Sequence, residues 1–159
     1  MLRKTLAALL VAAALPALAQ DRPPYLNVLD DETLRGLADI ARLLLPNVKL
    51  PDGSPMPPES EAERKTPLLP DADTRRIVEA GQLSAAAEWC KVEWLATVRD
   101  PLMAAERKNP AFTPRQAAYA GVLHDTAQGA WEAELTRSGE CGPGERADMQ
   151  NRVNRFRAR

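Results

Sequence analysis

Residues 83–108 read LSAAAEWCKVEWLATVRDPLMAAERK, the longest stretch of the chain with helical periodicity. At ~100° per residue, Leu83, Ala87, Cys90, Trp94 and Val98 share one face, while Trp89, Val92, Ala96 and Met103 fall nearly opposite. A helix that is apolar on two sides needs cover on two sides. It is read as the central helix of a bundle or as one that also meets a partner, bent where Pro101 removes an amide donor.

Downstream, Asn109 to Phe112 form a turn. Thr113-Pro114-Arg115-Gln116 then starts a helix, with Thr as cap, Pro at the first helical position and Gln closing a capping box. Tyr119, Ala120, Leu123, Ala127, Ala130 and Trp131 make its apolar arc, and Ser138-Gly139 ends it. After the turn at Cys141-Gly142-Pro143-Gly144, a last helix carries a narrow stripe of Met149, Val153 and Phe156. The short connection at 109–112 makes the flanking helices antiparallel.

Upstream, Asp71 or Asp73 begins a short helix over Thr74 to Ala80, with Gly81 as its end or kink. Residues 46–70 hold seven of the fourteen prolines, a density of missing amide donors that no long regular element survives. This segment reads as a mobile surface linker, with a partner-binding arm as the alternative. Before it, Asp30 or Asp31 caps a first helix whose Leu34, Leu37, Ala41 and Leu44 recur at helical spacing until Pro46. No internal repeat or strand-type alternation occurs. The fold class is all-α: a small bundle of four to five helices with a Pro-rich irregular segment after the first.

The opening residues set the compartment. Arg3 and Lys4 precede an apolar run that closes in Ala17-Leu18-Ala19, the order of a cleavable signal peptide over 1–19. The run is roughly 13 residues, short of the ~20 a spanning helix needs, so no stable membrane anchor is expected after cleavage. The organisation is then an arm and first helix over 20–45, a Pro-rich linker over 46–70 and a helical domain over 71–159. Export makes Cys90 and Cys141, the two cysteines, a disulfide pair. The abundant Ala and the excess of Arg over Lys fit a bacterial, periplasmic or secreted protein.

The formal charge of −1, about −3 after removal of Arg3 and Lys4, argues against a nucleic-acid partner. There is no His-x-x-x-His, no Cys-x-x-Cys and no phosphate loop, and Asp71-Ala-Asp73-Thr-Arg75 departs from a calcium loop. No metal, cofactor or catalytic set is therefore assigned. His124, the one histidine, stands beside Asp125, but helix neighbours point ~100° apart, so it reads as a hydrogen-bonded boundary residue. Glu88, Glu93, Glu132 and Glu134 keep open a hydrolase with paired carboxylates, against their plainer reading as solvated helix flanks.

Phe112-Thr113-Pro114-x-Gln116 resembles the Leu-Thr-x-x-Gln motif of small helical periplasmic stress chaperones, over five residues. The resemblance implies binding of other proteins in the envelope. The second copy of the motif is missing here, and a capping box gives the same letters for local reasons. The leading expectation is a non-enzymatic periplasmic accessory protein that acts through protein contacts or self-association. Its interface residues are read as Trp89, Val92 and Met103 on the second helix face, with Arg155 and Arg157 at the basic C-terminal end. The alternatives are the paired-carboxylate hydrolase and an inhibitor or immunity protein for a secreted toxin.

Overall fold

Asp30 opens the first helix, its carboxylate accepting from the Thr33 amide at 2.7 Å, with Asp31 and Glu32 at the positive end of the dipole. The computed structural model that shows this describes residues 29–50 and 52–157. The expected signal peptide at 1–19 and the entry at 20–27 lie outside the described residues. Helix α1 (Asp31–Leu44) buries Leu34, Leu37 and Ala41 and runs into a 3-10 turn at Leu45–Asn47, where Pro46 ends it. α2 (Glu61–Arg64) is a single turn with a complete Ser60/Glu63 capping box. There follow α3 (Asp71–Trp89), α4 (Asp100–Lys108), α5 (Pro114–Ser138) and α6 (Pro143–Arg157). The fold is all-α.

These are six α-helical segments among the described residues, against the four to five expected from sequence. The added segment is α2, a turn inside the Pro-rich stretch; the long helix also breaks, but its first part joins the short helix expected over Thr74 to Ala80, so these two changes cancel. Residues 71–89 form one helix through Gly81, and residues 83–108 do not. The chain leaves α3 at Cys90, passes through Lys91 at φ 57°, and re-enters helical structure as a π turn at Leu95–Arg99. In that turn the Trp94 carbonyl accepts from both Val98 and Arg99 amides, while the Glu93 carboxylate accepts from the Ala96 amide at 3.0 Å. Pro101 lies where the π turn passes directly into the first turn of α4.

α3 is the centre of the molecule. Ile77, Val78 and every residue from Ala80 to Ala87 are buried, so the helix is covered all round by its own chain. Its main partner is α5. The Ser84–His124 and Glu88–Gln128 bonds both join residues forty apart, which sets α3 and α5 parallel. α4 makes the return: Arg99 meets Asp125 and Met103 lies beside Gly121, so α4 and α5 are antiparallel. Gly81 is where α3 and α5 come closest. A Cβ there would stand 2.6 Å from the His124 carbonyl oxygen and 2.7 Å from the Ala127 Cβ, so only Gly fits the crossing.

Cys90, at the C-terminal end of α3, is bonded to Cys141 in the α5–α6 connection, with Cα atoms 5.0 Å apart. The Trp89 indole N–H donates to the Gly139 carbonyl at 2.7 Å on the same connection. Together they hold α6, whose Met149 and Val153 are fully buried, against α3 and the π turn.

The Pro-rich stretch is fastened to the bundle and is not a free linker. Met56 and Leu69 enter the core, Arg115 donates to the carbonyls of Pro57 and Pro58, and Gln116 donates to that of Leu68. Arg42 of α1 holds Glu59 through two hydrogen bonds and also donates to the carbonyls of Thr66 and Glu63. Prolines remove donors but leave carbonyls free, and the arginines use them.

Candidate functional site

The fastening of residues 64–75 beside α1 leaves a groove of about 680 Å³ between them. One wall is the flank of α1 carrying Leu34, Arg35, Ala38 and Asp39. The other runs from Arg64 through Leu68 and Leu69 to Ala72 in the first turn of α3. Tyr119 of α5 reaches between the walls, its hydroxyl donating to the Ala38 carbonyl at 2.9 Å. Burial pushes the Tyr119 phenol up to about 12, despite the nearby charge of Arg42. It is a neutral donor with a fixed role in the wall, not a base.

Arg75 ties α3 to α1, donating to the Leu29 carbonyl at 2.8 Å and to Asp31 at 2.9 Å. Lys65 is paired with Glu61 and Arg42 with Glu59. What is left without an ion pair, among the described residues, is Arg35 and Arg64 on one side of the balance and Asp39 and Asp71 on the other. A groove with an apolar interior and equal free charges of both signs suits a polypeptide segment better than a simple anion or cation.

A second constellation is internal. The Ser84 hydroxyl lies 3.0 Å from His124 Nε2, His124 Nδ1 lies 3.0 Å from Asp125 Oδ1, and Arg99 grips Asp125 through two bonds of 2.9 and 2.8 Å. Burial alone would raise the Asp125 carboxyl. Hydrogen bonds from Arg99 and His124, with the Arg99 charge, outweigh it and bring Asp125 down to about 2. The carboxylate only accepts, so His124 carries a proton on Nδ1, and its Nε2 shares a hydrogen bond with the Ser84 hydroxyl.

This corrects the expectation that His124 and Asp125 point apart and that His124 sits at a boundary. The imidazole is fully buried, and the Asp125 side chain folds back along α5 to reach it. The order Ser, His, Asp is that of a nucleophile, its base and an orienting acid. Ser84, however, has no solvent exposure and sits mid-helix between α3 and α5, where no acyl group can approach it. The set is a clamp between two helices.

Of the carboxylates singled out from sequence, two are engaged through one oxygen and two are exposed on α5. Glu88 accepts from Gln128 at 2.6 Å, Glu93 caps the π turn, and Glu132 and Glu134 are exposed on α5. Among the described residues, no group of three or more His, Cys, Asp or Glu side chains is placed to hold a metal ion. No helix among them is long and apolar enough to cross a membrane.

The expected interface residues are not brought together on one surface. Val92 and Met103 are buried, and Trp89 is half-buried with its indole N–H committed to Gly139. Of the second apolar face of the long segment, Val92 and Met103 are thus spent inside the molecule and Ala96 is exposed. Arg155 and Arg157 are exposed at the end of α6. The groove itself was missed, because its residues come from three separated stretches. One local signal was available: Ser60-x-x-Glu63 is a capping box inside the Pro-rich stretch and marks the turn that presents Arg64.

Comparison with models of protein families, with curated proteins and with solved structures finds no match to this chain.

Proposed function

We propose that this chain is an exported, non-catalytic accessory protein that binds a segment of another protein in the groove between α1 and residues 64–75. The groove is the observation that carries the reading: it is open, apolar within, and edged by Arg35, Arg64, Asp39 and Asp71, which have no ion pair among the described residues. The Cys90–Cys141 disulfide supports an oxidising compartment. With the signal-like order of residues 1–19, it favours the periplasm or secretion. The burial of Ser84 and the engagement of Glu88 and Glu93 weigh against a hydrolase.

The test plugs the groove without touching the core. Ala72 is exposed in the first turn of α3, so Ala72→Trp fills the groove and leaves packing intact. Affinity capture from an envelope fraction, with mass spectrometry, should recover a partner in near-equal amount with the wild-type chain and lose it with Ala72→Trp. Circular dichroism of the two chains should coincide. A partner retained equally by the plugged variant, or no protein partner for the wild type, refutes the reading.

A further inference from the structure

We infer that the groove between α1 and residues 64–75 takes the chain's own segment 20–28, folded back ahead of Leu29 and running antiparallel to α1. This occupancy rests on the groove being a polypeptide site, and a segment of another protein must then displace the resident one.

The segment joins the described chain at the groove itself. Arg75 donates to the Leu29 carbonyl at 2.8 Å and pairs with Asp31, and Asp31, Thr74 and Arg75 all line the groove. The chain ahead of Leu29 therefore starts from one mouth of it. The other mouth is set by Arg42, whose guanidinium reaches the carbonyls of Glu63 and Thr66.

Length fits the space between the two mouths. From Asp31 to Arg42, α1 advances ~16 Å at about 1.5 Å per residue. The segment reads Gln20-Asp-Arg-Pro-Pro-Tyr-Leu-Asn-Val28, and its Pro-Pro pair favours polyproline II at ~3.1 Å per residue. With Asn27 and Val28 spent on the reversal, the stretch from Leu26 back to Asp21 covers ~18 Å.

The charges match in that same register. Arg22 falls roughly 12–15 Å from the first mouth, which is the depth of Asp39 on α1. Asp21, one step further, reaches the end where Arg64 stands between Glu63 and Thr66. Asp39 and Arg64 are exposed groove residues with no ion pair among the described residues. Tyr25 and Leu26 come first, over the apolar interior between Ala38 and Ala72.

The tether favours this occupant over one supplied from solution. A short linker gives an effective concentration in the millimolar range, so contacts with an intrinsic dissociation constant of ~0.1 mM are made in about nine molecules of ten.

Chymotrypsin cuts after tyrosine, and its rate at Tyr25 reads the undocked fraction when docking is fast. In the folded chain from Gln20, that cleavage, followed by mass spectrometry, should be about tenfold slower than in Ala72→Trp. Arg22→Glu and Asp39→Arg should each speed it by about two- to fivefold, and together restore the wild-type rate. Equal rates in wild type and Ala72→Trp overturn the inference, as does failure of the paired reversal to restore protection. Protection that rises with protein concentration also overturns it, because the segment then lies in a second copy. The cleavage needs no partner and so stands apart from affinity capture. Unprotected Tyr25 with a partner still captured refutes the resident segment alone, whereas protected Tyr25 with no partner captured upholds it and refutes the accessory reading.

Discussion

Replacing Gly81 with Ala should destabilise this protein by about 2 kcal/mol, although helix propensity alone argues for a gain of about 1. The added Cβ would stand 2.6 Å from the His124 carbonyl oxygen and 2.7 Å from the Ala127 Cβ. A backbone atom and a first side-chain carbon cannot rotate away. Relief therefore requires α3 and α5 to part by roughly half an ångström or more, in a core packed like a crystal. The Ser84–His124 bond at 3.0 Å and the Glu88–Gln128 bond at 2.6 Å span the same crossing and would stretch with it. Overpacking costs ~1–3 kcal/mol, a weakened buried hydrogen bond adds ~1, and propensity returns ~1. Gly36→Ala is the internal control, since nothing lies within 4 Å of it. Measured at low protein concentration, it should stabilise by about 1 kcal/mol. Urea denaturation reads both, and the two variants of identical chemistry should differ by about 3 kcal/mol in opposite directions from wild type. Gly81→Ala as stable as wild type would refute close approach as the reason for the glycine.

Removing the staple with Cys90→Ala and Cys141→Ala together should cost about 4 kcal/mol by loop-closure entropy for a sequence separation of 51; a loss under about 1 kcal/mol in a denaturant titration contradicts this. Asp125, held at about 2 against an ordinary 3.8, stabilises the folded state while ionised. That contribution is present above pH ~4 and is lost as pH falls toward ~2, with a size of about 1 kcal/mol after allowance for its half-exposed position. Asp125→Asn should lower stability at neutral pH and flatten this part of the acid profile; an unchanged profile excludes the clamp. Burial that raises Tyr119 to about 12 keeps its phenol neutral well above pH 10. The associated stability is complete below pH ~10 and is lost as pH rises toward ~12. Tyr119→Phe should remove that alkaline dependence in thermal melts.

The local chemistry of this fold was legible in the sequence, and its long-range geometry was not. The cap at Asp30, the Thr113/Gln116 box, the end of α5 at Gly139 and the Cys90–Cys141 pair all follow from residues within one turn or from simple pairing of two thiols. Gly81 reads as an end or kink from sequence because a helical glycine marks either an end or a crossing, and only the position of His124 decides between them. The break after Trp89 has no proline to announce it. It is held by the disulfide at Cys90, the positive φ of Lys91 and the Glu93 cap, whose combined effect depends on Cys141 fifty-one residues away. Proline density correctly warned against long elements in 46–70, but not that arginines from α1 and α5 would claim the free carbonyls. The groove inherits this difficulty, since it exists only because Arg42, Arg75, Arg115 and Gln116 pull that stretch onto the bundle.

α1 carries more apolar residues than its core face can use, and the structure divides them. Leu34, Leu37, Ala41 and Leu45 anchor the helix, while Arg35, Ala38 and Asp39 turn toward the groove. Gly36, Ile40, Leu43 and Leu44 face outward, with Leu44 and Ile40 at the margin of the buried stripe and Leu43 well away from it. A helix needed only to cover α5 and α3 would place polar residues there, as α6 does with Gln150, Asn151 and Asn154 around its buried Met149 and Val153. The groove and the outer face are therefore separable by substitution. Ala72→Trp acts from across the groove and Leu43→Glu from the far side of the helix. Partner capture should respond to the first and not the second; equal loss with Leu43→Glu would show that the groove is not where the partner binds.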